Sequence, residues 1–127
     1  MAQADRQPSG GALNAALANE LGKLIADFTG RGATRSRAFV HQDLVVCVFE
    51  DGATRAEQNL VAAGEAKLVR IQRDALQRAL APQLVAAVER LTSRTVRTFM
   101  SGMDEDGAAS IEAFLLEPEP LTASVLA

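Results

Sequence analysis

Two pairs of strand-like segments constrain the fold of this chain more than any other feature of its sequence. In the first pair, residues 34–40 and 44–49 are rich in β-branched and aromatic side chains and flank a polar turn at 41–43. In the second pair, residues 94–101 and 109–116 show an alternation of side chains with period two. Alternating segments joined by short turns are typical of β-hairpins. The sequence therefore predicts two antiparallel hairpins.

A helical pattern precedes the first hairpin. Its apolar residues recur at steps of three and four, as on one face of an amphipathic helix. They are Leu13, Leu17, Leu21, Leu24, Ile25 and Phe28. Gly30 and Gly32 follow, and glycine supplies the positive φ that a helix end commonly requires. We therefore expect these two glycines to end the helix.

The segment between the hairpins predicts two further helices. Thr54, with Glu57 three residues later, forms the pattern of a capping box, which opens a short helix through about Ala63. A longer helical pattern covers residues 65–91. Pro82 removes one backbone donor from this long helix, so we expect a kink there or a division into two helices.

These elements predict an α+β fold in the order α-ββ-αα-ββ. Two hairpins with helices between them favour a two-layer sandwich, in which the helices cover a four-stranded antiparallel sheet. A chain of 127 residues is near the size of one domain. We place that domain at residues 12–117, and we expect a flexible arm at 1–11 and a flexible tail at 118–127.

The composition excludes several classes of site. One cysteine and one histidine cannot form an internal disulfide or a typical Cys/His zinc site, and no P-loop or dinucleotide motif is present. A net charge of −3 and the lack of Tyr and Trp argue against nucleic-acid binding. We expect no metal and no cofactor. A sequence without a signal peptide or a membrane-spanning run predicts a cytoplasmic location.

The densest basic patch is the first candidate for a binding site. Arg31 lies between Gly30 and Gly32, and Arg35 and Arg37 follow shortly afterwards. Glycines beside arginines can present backbone N–H groups to a phosphate, so the patch could hold an anion. A helix end followed by a solvated strand face accounts for the same residues. The sequence leaves both interpretations open.

Arg73 is the second candidate. It lies on the apolar stripe of the long helix, between Val69 and Leu76, and a charge in that position has to be paired or lie at the edge of the stripe. One interpretation is a structural arginine bonded to a helix end or to a carboxylate such as Glu57. The other is an arginine that binds an anion or docks a partner.

Three further features have simple interpretations. Cys47 lies in the middle of an apolar strand, so we expect a buried, unreactive thiol. His41 lies beside a turn, where we expect it to be exposed. Residues 104–107 resemble the start of a calcium loop, but Glu112 comes too early to close one. We therefore predict a hairpin turn at 104–107.

A set of residues spread along the chain carries a resemblance to a known family. The set comprises Gly30-Arg31-Gly32, Thr54, Glu57, Leu60, Gly64, Arg73, Val88-Glu89, Leu91-Thr92 and Val96. It resembles the bacterial DUF2294 family, also called MpsC after a sodium-translocating system that generates membrane potential. The resemblance covers roughly residues 13–117. It implies association with an ion-transport system and supplies no catalytic residues.

The sequence favours a small, non-enzymatic accessory or interaction module that forms a homodimer. No nucleophile–base pair or cofactor loop is visible in it, so we expect no enzymatic activity. The apolar strand at 44–49 and the long helix would supply the dimer surface. The resemblance implies peripheral association with a membrane transport protein. The alternative is a sensor that holds a small anion or a nucleotide with a set of arginines, Arg31, Arg35, Arg37 and Arg73.

Overall fold

The structure is a computed structural model that describes residues 10–118. Its seven elements follow the predicted order α-ββ-αα-ββ, and the predicted α+β class is confirmed. The elements are α1 (Gly10–Thr29), β1 (Arg35–His41), β2 (Leu44–Glu50), α2 (Arg55–Ala62), α3 (Ala66–Thr92), β3 (Val96–Met103) and β4 (Ser110–Leu116).

The four strands form one antiparallel sheet in the order β1-β2-β4-β3. Because β2 and β4 occupy the centre, the apolar strand predicted at 44–49 is a central strand. Helices α1 and α3 pack side by side on one face of the sheet, which we call the inner face. The chain is therefore a two-layer sandwich with its core between those helices and the inner face.

The core follows the period-two alternation of the strands and the apolar stripes of α1 and α3. Its larger fully buried side chains are Leu17, Leu21, Val45, Leu80, Leu84, Val88, Phe114 and Leu116. Cys47 is buried among them as a free thiol, which confirms the predicted burial of that residue.

The first helix begins earlier and ends more simply than predicted. It begins at Gly10, so residues 10 and 11 are helical and not part of an arm. The rest of the predicted arm, and residues 119–127 of the predicted tail, lie outside the described residues. Gly30 ends the helix with φ of +86°, whereas Gly32 does not adopt a positive φ. One left-handed residue is enough to end the helix, so the role predicted for Gly32 is wrong.

The two helices between the hairpins form as predicted, with one difference. Both hydrogen bonds of the capping box between Thr54 and Glu57 are present at the start of α2. The long helix α3 runs without a break from Ala66 to Thr92 with Pro82 inside it, so Pro82 does not divide it. Pro82 lies on the exposed side of α3. There, water can bind the backbone carbonyl that the proline leaves without an N–H donor.

A bulge changes one predicted strand face. The alternation in sequence puts Val96 on the same face as Thr98 and Met100. In the structure the register of β3 against β4 shifts between Val96 and Thr98, and Val96 packs against the core with Phe99. The extra residue at the bulge shifts the alternation by one position, so Val96 lies on the opposite face of the sheet from Thr98.

Within the described part of the chain, no helix combines the length and the apolar composition needed to cross a membrane.

Candidate functional site

The arginines of the predicted basic patch lie at one end of the sheet, and each is paired. Arg31 donates to the backbone carbonyl of Asp51 at 3.1 Å and forms an ion pair with its carboxylate at 3.4 Å. Arg35 and Arg37 share the carboxylate of Glu50, at 3.7 and 3.3 Å. These pairs are largely exposed to solvent, so each contributes little to stability.

Arg73 is buried and makes the ion pair that the sequence suggested. Its Nε and Nη2 donate to the two carboxylate oxygens of Glu57, both at 2.6 Å. A third bond runs from Nη2 to the carbonyl oxygen of Gly52 at 2.9 Å. The two-pronged geometry satisfies a charge that would otherwise be costly to bury on an apolar stripe.

Glu57 links this ion pair to the start of α2. Its Oε1 also accepts a bond of 2.7 Å from the backbone N–H of Thr54. Burial alone would raise the pKa of Glu57, but the bonds from Arg73 and Thr54 together hold the pKa below its ordinary value. The carboxylate therefore stays ionised and holds the long helix, the short helix and the cap together.

All four predicted arginines thus meet one short segment of chain, residues 50–57, which connects β2 to α2. Each pairs with a carboxylate of that segment, and two of them also hold backbone carbonyls of it. The arrangement fixes the path of the connection between the sheet and the helices. Sequence reasoning identified the arginines, but it anticipated only the partner of Arg73.

Glu112 is a buried acid that sequence reasoning missed. It lies on the inner face with no exposed surface, and Ser101 Oγ donates to its Oε1 at 2.9 Å. Its Oε2 has no hydrogen-bond partner among the described residues. Burial raises the pKa of Glu112 to about 7, although the bond from Ser101 opposes the shift. Its alternation with Phe114 and Leu116 was the signal in the sequence.

Cys47 lies directly opposite Glu112 on the neighbouring strand. Burial, and secondarily the nearby charge of Glu112, raises the pKa of this thiol to about 12. A thiol with so high a pKa stays protonated and is a poor nucleophile. No group of three or more His, Cys, Asp or Glu within residues 10–118 could hold a metal ion.

Two remaining predictions agree with the structure. His41 is exposed at the end of β1. Residues 104–107 form a hairpin turn, in which Asp104 Oδ1 accepts bonds from the backbone N–H groups of Ala108 and Ala109. These two bonds close the loop between β3 and β4 and account for the aspartate without a bound ion.

The second face of the sheet, which we call the outer face, is apolar and carries no covering element of the described chain. Its apolar side chains are Phe39, Leu44, Val46, Val48, Met100, Ile111, Ala113 and Leu115. Phe39, Met100 and Ile111 keep 51%, 48% and 44% of their surface exposed. A contiguous apolar surface of this kind on a small domain is typical of a protein interaction site.

Comparison with known proteins identifies the family. The sequence model of the family described as "Na+-translocating membrane potential-generating system (MpsC)" matches residues 9–118. Neither a curated protein nor a solved structure matched the chain. The match includes every helix and strand described above, together with the arginine-held connection at residues 50–57. The chain therefore belongs to the MpsC family.

Proposed function

We propose that this chain is a non-enzymatic protein-binding module that acts through the outer face of its sheet. The observation that carries the proposal is the apolar character of that face. Its apolar side chains continue across the two central strands, and no helix of the described chain covers them. An antiparallel sheet with one solvated face normally places polar residues there. Here the two central strands place only Leu, Val, Ile and Ala at the middle of that face.

The described side chains support a binding role better than a catalytic one. The two buried groups with raised pKa values, Glu112 and Cys47, lie under the helices with little access to a substrate. Ser101 donates to Glu112, but that carboxyl group is fully buried, and the described contacts give the pair no third group that would orient it for catalysis. Acid–base and nucleophilic catalysis need such groups within reach of a substrate, and among the described residues the burial of Glu112 and Cys47 supports a binding role instead.

The family description supports a finer proposal. We propose that the module is an accessory part of a membrane ion-transport system and associates peripherally with a transport protein. In cells that carry the chain, we expect it to sediment with membranes and to be released by a high-salt or alkaline wash. Recovery of all the chain in the supernatant before any wash would contradict this association.

A photo-cross-linking side chain at position 100 tests the binding role of the outer face in cells. Met100 is half exposed on that face, so a cross-link to protein is expected from this position. The matched control carries the same group at Gln83, which lies on the exposed side of α3. A yield at position 100 no greater than at position 83 would contradict the proposed function.

An anion-binding sensor is the alternative function. It requires guanidinium groups that are free to meet a ligand. Arg31, Arg35, Arg37 and Arg73 are instead each paired with a carboxylate of the chain. An anion would have to compete with the chain's own carboxylates at each arginine, and it could displace the buried carboxylate of Glu57 from Arg73 only at high cost, so the pairing favours the protein-binding module.

A further inference from the structure

We propose that a second copy of the chain covers the outer face, related by a two-fold axis that lies between the faces and runs parallel to the strands. This inference rests on the proposed function, because it names the occupant of the same face. With the strand order β1-β2-β4-β3, such an axis places β1 over β3 of the partner and β2 over β4 of the partner. A rotation about this axis does not exchange the two ends of the sheet, so equivalent ends of the two sheets lie over each other.

The apolar side chains match under this symmetry. The pairing register puts Phe39, Val46, Ala113 and Met100 in one row across the four strands. The axis therefore lays Phe39 over Met100 of the partner subunit, and Val46 over Ala113 of the partner subunit. Phe39 and Met100 are the edge residues of the row and are each about half exposed. A thioether packs favourably against an aromatic ring.

The charges match as well, and they select this axis. Exposed Arg35 and Arg37 lie on β1, at the end of the sheet where the turn at 104–106 joins β3 to β4. That turn is Asp-Glu-Asp, and all three residues are exposed. The proposed axis brings the two arginines of each protomer to the acidic turn of the other. An axis perpendicular to the strands would place β1 over β1 and leave the arginines without acidic partners.

The shape of the face provides a place for one of these arginines. Arg37, Val48, Ile111 and Gly102 share the next row of the register. Gly102 has no side chain, and a hollow of about 350 Å³ lies beside it, with Asp104 in its wall. The axis places Arg37 of the partner subunit over this hollow. Its existing pair with Glu50 is solvent-exposed, so it can rearrange at small cost.

The size of the face suits a dimer of moderate affinity. Four strands of about seven residues cover about 19 by 23 Å, so two faces bury about 900 Å² in flat projection. Accessible area exceeds projected area because side chains protrude, which brings the pair near the lower limit of specific interfaces, about 1,200 Å². We therefore expect a dissociation constant of the dimer in the micromolar range.

Charge reversal with mixing tests the symmetry. Arg37→Glu and Asp104→Arg chains each place like charges together at both symmetry-related contacts of a homodimer, so each should dissociate about tenfold more readily than the wild type. In a mixture, both of these contacts in a heterodimer join opposite charges, and association should return. Sedimentation velocity of the full chain measures all three samples. Mixing that leaves both variants monomeric would overturn the proposed axis.

A second test covers the case in which Asp104→Arg disturbs its turn. Phe39→Cys and Met100→Cys chains, mixed and treated with a short bismaleimide, should form a covalent heterodimer, and each alone should give much less product. Cys47 is buried and serves as the unreactive background. A wild-type chain that is monomeric at 100 µM would overturn the second copy as occupant. The proposed function would survive that result if position 100 still cross-links to another protein in cells, and would fail with it otherwise.

Discussion

At the scale of single residues, the carboxyl group of Glu112 couples stability to pH. It is fully buried, and its pKa in the folded chain is raised from 4.5 to about 7. The folded state therefore holds a proton that the unfolded state releases between these pH values. Its contribution to stability is fully present below pH 4.5 and is lost as pH rises through 7, by about 3 kcal/mol in all.

Glu112→Gln tests this coupling, because an uncharged amide of the same size removes the titration. We expect the variant to match the wild type at pH 4 and to exceed its unfolding free energy at pH 8 by a few kcal/mol. Chemical denaturation at the two pH values measures the difference. A variant that is less stable than the wild type at pH 8 would show that ionised Glu112 is stabilised by contacts absent from the described residues.

Arg73 neutralises the charge of a buried carboxylate, that of Glu57. Arg73→Met would leave Glu57 ionised and unpaired under the helices, so we expect a loss of about 3 kcal/mol. Arg70→Met on the exposed side of the same helix is the matched control and should change stability by less than about 0.5 kcal/mol. Equal effects of the two substitutions, measured by denaturation, would argue against the structural role of Arg73.

At the scale of elements, Pro82 interrupts the hydrogen bonding of a helix that nevertheless stays continuous. Pro82→Ala would restore one backbone donor at an exposed position. We expect the variant to gain at least about 1 kcal/mol, since proline is the least favourable residue inside a helix. Gln83→Ala controls for a general gain in helix propensity. A lower melting temperature for Pro82→Ala would mean that the packing of α3 depends on the proline.

The elements also show how far sequence reasoning reaches. Short-range patterns predicted the capping box at Thr54 and the end of α1 at Gly30, because each depends on neighbours within a few residues. The bulge between Val96 and Thr98 was missed, since one inserted residue leaves no mark on a short alternating pattern.

The candidate binding residues were also predictable only in part from the sequence. The four arginines could be identified from the sequence. Their common partner segment at residues 50–57 could not, because it depends on contacts between distant parts of the chain. Glu50 pairs with Arg35 and Arg37 because the two strands align, and that register is not local information. The apolar strand at 44–49 was predicted to form part of a dimer surface, but the open face of the sheet was not identified, because an apolar strand has the same pattern whether one or both of its faces are covered.

At the scale of the whole molecule, the arginine pairs predict that small anions do not stabilise the chain. A ligand at 100 times its dissociation constant would add about 2.7 kcal/mol and raise the melting temperature by several degrees. We expect no such shift with phosphate, nucleotides or carboxylates in a thermal-shift screen. A reproducible shift that Arg31→Gln abolishes would favour the sensor function instead.

The same scale gives the physical reason for the partner that we propose. Helices cover one face of the sheet, and the other face stays apolar and open within the described residues. The description of the family names a membrane system, and this surface is the one through which we propose that the chain assembles. We therefore expect the chain to assemble through this face of the sheet.

Hydroxyl-radical footprinting tests that claim most directly, by comparing the chain inside cells with the purified chain diluted below micromolar concentration. The readout is the oxidation rate of Phe39 and Met100, with the exposed helix residue Leu68 as the internal reference. The account predicts that Phe39 and Met100 are protected several-fold in cells while Leu68 is unchanged. Equal rates for Phe39 and Met100 in both samples would contradict it.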